Sequence, residues 1–182
     1  MSASLSPVRL QFEKLEEKKR TLLARIQNLS PEDYLRQPAP NQWSVAQAAT
    51  HLYLSEKLSL AYLRKKLSYP DSVPRYNIWS WKGNLLIKLT FWTSFKVKAP
   101  ASINMWEHQE VLSHDQVGSK WSELRNELIT FIESNEDTFG RHLAYRHPFA
   151  GRMTMHQMLI FLNDHMAHHI RQIDRICKAI SR

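Results

Sequence analysis

The sequence predicts an all-α fold, a four-helix bundle forming a single domain over residues 1–182. Three observations predict it. Four segments repeat apolar residues at the three-and-four spacing of an amphipathic helix. Two of those segments open on a capping box. No stretch shows the apolar–polar alternation of a half-buried strand.

The first helix runs from Pro7, a residue suited to a first helical turn, to about Leu29. Phe12, Leu15, Leu22, Ile26 and Leu29 form its stripe. Ser30-Pro31-Glu32-Asp33 then opens a short turn or 3₁₀ segment. The second long helix starts at Ser44, where Ser44 and Gln47 have capping-box spacing, and runs to about Leu67. The third covers about Val117 to Asn135, with Val117, Trp121, Leu124, Leu128, Phe131 and Ile132 as its stripe. The fourth begins at the Thr154/Gln157 box and runs to about Ile180. Between the second and third lies a long Trp-rich connection, Pro70 to Gln116, holding Trp79, Trp81, Trp92 and Trp106. Asn84 to Thr93 within it reads as a short amphipathic helix. A connection of this length usually carries function or structure of its own, and a lid across the bundle end is one expectation. Its aromatics and Lys82, Lys88, Lys96 and Lys98 read as core-covering rather than as a membrane contact.

Composition narrows the function. Hydrophobic residues are 43% and charged residues 23%, the balance of a globular chain. With four glycines there is no G-x-G-x-x-G and no phosphate loop. No apolar run approaches the roughly 18–20 residues of a transmembrane helix. The N-terminal stretch lacks the apolar region of a secretory signal. One cysteine, Cys177, excludes an internal disulfide and fits a reducing, cytoplasmic setting. It lies at the edge of an apolar stripe and reads as core rather than nucleophile. The net charge of +8 is spread over short clusters, Lys18-Lys19-Arg20 and Arg64-Lys65-Lys66. That is a solvated basic surface; nucleic acid is not the expected partner, although anionic small molecules would be attracted.

The chemistry lies in the last helix. Its apolar stripe, Met155, Met158, Leu159, Leu162, Ile173, Ile176 and Ile180, is interrupted by His165 and His169. Residues four apart share a helix face, so both imidazoles occupy core positions. A buried polar group without a partner costs roughly 1–3 kcal/mol, and a divalent metal would satisfy both at once. His168 is about 100° around from His169 and suits an outer face beside Asp164. A catalytic metal usually has three protein ligands and an open position. His51, two turns into the second helix, is the candidate third; Ala48, Ser55 and Ser59 on its face leave room. Water at such an open position ionises near neutral pH, and a thiol there is deprotonated.

The pattern Trp43-Ser44, His51-Leu52 and Glu56, then His147-Pro148-Phe149-Ala150-Gly151, then Phe161-Leu162-Asn163-Asp164-His165 with His169, Gln172 and Ile173, resembles the DinB/YfiT-like superfamily of four-helix-bundle metalloproteins. It covers nearly the whole chain. The resemblance implies that His51, His165 and His169 bind a divalent ion such as zinc or nickel. It also implies a metal-dependent hydrolase, or a transferase or isomerase that uses a low-molecular-weight thiol, acting on a small molecule. The 70–116 segment is longer than the compact family pattern. The residues leave Glu56 open between the site and the helix surface, Gln172 between ligand orientation and the core edge, and His147 between loop and pocket. A homodimer is an expectation of exposed bundle faces. The competing function is a non-catalytic binding module, with a structural metal or none and a basic surface for an acidic partner. No H-E-x-x-H and no G-x-S-x-G is present, and His114-Asp115 reads as a helix start.

Overall fold

The computed structural model describes residues 6–76, 110–147 and 151–181. Four long helices build it: α1 (Pro7–Gln27), α3 (Val45–Leu67), α4 (Val117–Phe139) and α5 (Met155–Ile180). α1 and α3 each pack against both α4 and α5, which is a four-helix bundle. The expected Trp-rich connection lies outside the described residues from 77 to 109. Its described ends are pinned to the bundle. Tyr76 N–H donates to Arg141 O at 2.7 Å, and Leu112 N–H donates to Thr50 Oγ1 at 2.8 Å.

Local sequence accounts for the starts of α3 and α5. Gln47 N–H donates to Ser44 Oγ, while Gln47 Oε1 accepts from Ser44 N–H. Thr154 and Gln157 repeat the arrangement at α5. Each box satisfies two of the four amides that a helix start leaves without partners. Ser6 caps α1 ahead of Pro7. The α3 cap lies about two turns before His51, and the α5 cap about three turns before His165.

Two segments differ from expectation. Pro31–Leu35 is a short α-helix, α2, rather than a turn or 3₁₀ piece, because Ser30 accepts from Asp33 N–H and Tyr34 N–H reaches Ser30 O. Buried Tyr34 anchors it, donating its hydroxyl to Leu112 O. A hairpin of β1 (Tyr145–His147) and β2 (Gly151–Met153) precedes α5, with Tyr145 opposite Met153 and His147 opposite Gly151. Three-residue strands are too short to leave an alternation in the sequence. Gly151 takes φ 76°, a conformation that glycine adopts at little cost.

The core runs along all four long helices and includes Phe12, Leu15, Leu22, Leu52, Leu63, Trp121, Leu128, Met158, Leu162 and Ile173. Cys177 packs against its edge. Inside it lies a charge network. Arg125, 1% exposed, donates from Nε to Glu56 Oε2 and from Nη2 to Glu56 Oε1, both at 2.6 Å. Trp121 Nε1–H donates to the same carboxylate at 2.9 Å, and Arg125 Nη1 reaches Glu16 on α1 at 3.2 Å. Glu56 is therefore neither a surface carboxylate nor directed to the three histidines; both its oxygens are engaged with α4.

Removing one member of a buried pair leaves the other uncompensated. Arg125→Ala is expected to cost about 3–5 kcal/mol. The double variant Glu56→Leu/Arg125→Met should recover most of that loss. Urea unfolding of the three proteins measures both; a loss below about 1 kcal/mol in Arg125→Ala would contradict the assignment.

Candidate metal centre

His51 of α3 and His165 and His169 of α5 come together. His165 Nε2 lies 3.1 Å from His51 Nε2 and 3.1 Å from His169 Nε2. Zinc binds imidazole nitrogen at about 2.0–2.1 Å, and tetrahedral angles then place donor atoms roughly 3.3 Å apart. The donor spacing fits such an ion. A single proton or lone pair on His165 Nε2 faces two other nitrogens, whereas a cation at their common focus would engage all three.

Each ring is held by its neighbours. Trp43, just ahead of the α3 cap, stacks on His169 with centroids 6.0 Å apart and planes 7° apart. The same indole meets the His51 ring edge-on at 5.2 Å. Phe161, one turn before His165, stacks on it at 5.5 Å. His169 Nδ1 donates to Gln172 Oε1 at 2.7 Å, which leaves Nε2 of that ring as the lone-pair nitrogen turned toward the cluster. Gln172 is thus at the site and not merely at the core edge.

The environment keeps these rings neutral. Burial pushes His51 down to about 4, with the field of His168 adding to it. Burial pushes His169 down to about 3, with His51 acting in the same direction and the Gln172 hydrogen bond against it. His165 is held well below the ordinary imidazole range by burial first, then by His169 and His51. His51 and His165 nevertheless keep part of their surface open, while His169 is 8% exposed.

Of the other described histidines, His147 and His168 flank the cluster and His114 stands apart. His147, on β1, is half-buried and meets Phe161 edge-on at 4.5 Å; burial pushes it down to about 4. It therefore belongs to the wall beside His165 rather than to the loop alone. His168 lies edge-on to His169 at 5.2 Å and is not part of the three-histidine cluster, as its helical position predicts. His114 is remote, held by Ile26 O at 2.9 Å ahead of α4.

A family model of the DinB superfamily matches residues 14–173. The chain belongs to the DinB superfamily. Among solved structures this DinB-superfamily chain is similar to YfiT from Bacillus subtilis, described as a probable metal-dependent hydrolase with an unusual four-helix bundle topology. The likeness has a TM-score of 0.59 at 15% identity and covers 100% of this chain and 93% of that one. It shows a shared fold. No curated protein matches the sequence. Among the described residues no helix is long and apolar enough to cross a membrane.

Sequence reasoning placed the three histidines but gave Trp43 and Phe161 no part in holding them. The available signal was position: an aromatic immediately before a helix cap, and another one turn before a candidate ligand. Arg125 was missed as the partner of Glu56 because a charged residue beside an apolar stripe ordinarily reads as surface.

The shifted histidines make stability pH-dependent. Their folded-state values lie below the ordinary 6.5, so the unfolded chain binds protons first as pH falls. The metal-free protein should hold its stability above about pH 6.5. Between pH 6.5 and 4 it should lose up to about 1.4 kcal/mol per pH unit for each such group. Urea unfolding at pH 7.5, 6 and 5 checks this; equal midpoints at all three would contradict burial of neutral imidazoles.

Proposed function

We propose that this DinB-superfamily chain is a metal-dependent enzyme whose divalent ion is held by His51, His165 and His169. The observation that carries the reading is the convergence of three Nε2 atoms from two helices at metal-compatible spacing. Neutral imidazoles are the form that ligates, and burial supplies that form without deprotonation at neutral pH. Zinc and nickel are the ions such a donor set favours among those commonly available.

A bound divalent ion would act as a Lewis acid and lower the pKa of a water or thiol beside it. The chain's own residues do the rest. Gln172 fixes the His169 tautomer, and Trp43 and Phe161 hold the rings. Hydrolysis of a small molecule is the leading reaction class, in keeping with the activity ascribed to YfiT. Transfer to a low-molecular-weight thiol is the second class. A structural metal is disfavoured, because structural zinc sites are closed by four protein ligands and three donors meet here among the described residues.

Purified protein grown with zinc and nickel should contain about one ion per chain. His165→Ala should lose it, and His51→Ala should weaken binding strongly while the far-ultraviolet helical signal stays. Elemental analysis and circular dichroism read the two effects; unchanged metal content in His165→Ala, or none in the parent protein, would sink the proposal.

Gln172→Ala should weaken metal binding by about 10–100-fold, the usual effect of losing a group that orients a ligand. Competition against a chromophoric chelator measures it. A screen of small thiols and ester substrates against the metal-loaded protein, read by melting temperature and then turnover, separates transfer from hydrolysis.

A further inference from the structure

The buried polar side chains of α5 are Gln157 of the cap, His169 of the cluster and Asn163. Asn163 is 4% exposed, and its carboxamide is used completely. Nδ2–H donates to Gln11 O of α1 at 2.9 Å and to Leu159 O, one turn back on α5, at 3.0 Å. Oδ1 accepts from Lys18 Nζ at 2.6 Å. Gln11 and Lys18 stand about two turns apart on one face of α1. The amide is therefore held from two points on the neighbouring helix and one on its own.

A leucine of nearly the same size would fill this position without the cost of burying an amide. Asparagine in a helix interface gives up stability and specifies register. Arg25 also reaches Asp174 across the α1–α5 interface, but that pair is exposed, and exposed pairs add little.

Register at Asn163 governs the histidines. Asn163 precedes His165 by two residues, so its side chain leaves α5 about 160° around from His165 and about 120° around from His169. One side of the helix is held to α1, while the other presents both imidazoles to His51. An imidazole nitrogen lies roughly 6 Å from the helix axis, so a turn of about 10° carries it about 1 Å. Preorganised sites tolerate about 0.5 Å, and a larger shift would open the 3.1 Å spacing of the nitrogens. Asn163 thus does for α5 what Glu56 does for α3.

We propose that Asn163 is a positioning residue of the three-histidine site: by binding Gln11 O and Lys18 Nζ it fixes the rotation of α5, and with it the direction in which His165 and His169 meet His51. This role rests on the metal-site reading, and a metal-free measurement separates their fates.

Asn163→Leu removes the tie without stranding a partner. Gln11 O lies within the α1 hydrogen-bond ladder, and half-buried Lys18 can turn to solvent. Helical circular dichroism and the urea midpoint should hold, while zinc affinity, measured by chelator competition, falls about tenfold. Lys18→Met, which frees Oδ1, should lower affinity in the same direction. If Asn163→Leu does not fold, unchanged affinity in Lys18→Met overturns the proposal. Ile132→Ala opens the core on α4, which carries none of the three histidines. It should lower the urea midpoint and keep zinc affinity within about twofold of the parent. Zinc affinity unchanged in Asn163→Leu, or reduced no more than in Ile132→Ala, overturns the positioning role. The metal-free protein supplies the second readout. The His51 and His165 rings, with centroids 5.0 Å apart, should give a nuclear Overhauser contact in the parent that weakens in Asn163→Leu. An unchanged contact also overturns the role. If the parent takes up no metal but the contact weakens in the variant, the metal reading falls and the positioning role stands.

Discussion

The position of the site depends on the buried ion pair between Glu56 and Arg125. Glu56 follows His51 by five residues, so the two side chains leave α3 about 140° apart. One face of α3 is tied to α4 by a doubly hydrogen-bonded guanidinium and by Trp121. The other presents His51 to α5. Burying such charges carries a large desolvation cost, which the geometry offsets by engaging both oxygens of Glu56 and by sharing Arg125 with Glu16. Because a charged pair tolerates little displacement, the rotation of α3 about its own axis is fixed. A helix held only by leucines could turn by several degrees at small cost, and His51 Nε2 would move away from His165.

The same desolvation acts differently on the imidazoles. Histidine can shed its proton near neutral pH, so burial selects the neutral form instead of demanding a counter-charge. The core thus tolerates three imidazoles where it would not tolerate three ammonium groups. Neutrality leaves the choice of tautomer, and for His169 the Gln172 amide oxygen settles it by requiring a proton on Nδ1. Stacking by Trp43 and Phe161 then restricts ring rotation. Each device is local, and each follows from a residue within one turn of a histidine or just before a helix cap.

That locality explains what could be read from the chain. The four long helices and both capping boxes were legible because helical periodicity and cap chemistry are short-range signals. His165 and His169 were legible because polar residues stood where an aliphatic stripe required apolar ones. His51 became visible only in combination, since one histidine on a mixed face carries little information. Glu56 was left between two roles, neither of which it plays, because its partner lies on a helix separated by the long connection. No local pattern reports a pairing over that distance. The hairpin was invisible for a different reason: strands of three residues leave no periodicity to detect.

The arrangement also bears on whether the centre acts or merely holds the fold. Small domains that depend on a metal for folding lack a sufficient core without it. Here the buried side chains form a core that runs along all four long helices, and α1, α3 and α5 have their own N-terminal caps. A metal would be added to a bundle that has other reasons to fold. The histidines sit where α3 and α5 meet, with His51 and His165 still partly reached by solvent. A purely structural ion would gain from complete enclosure and a fourth protein donor. Among the described residues the cluster stops at three donors, and an ion held by three donors would keep an exchangeable position, the arrangement suited to something that binds and leaves.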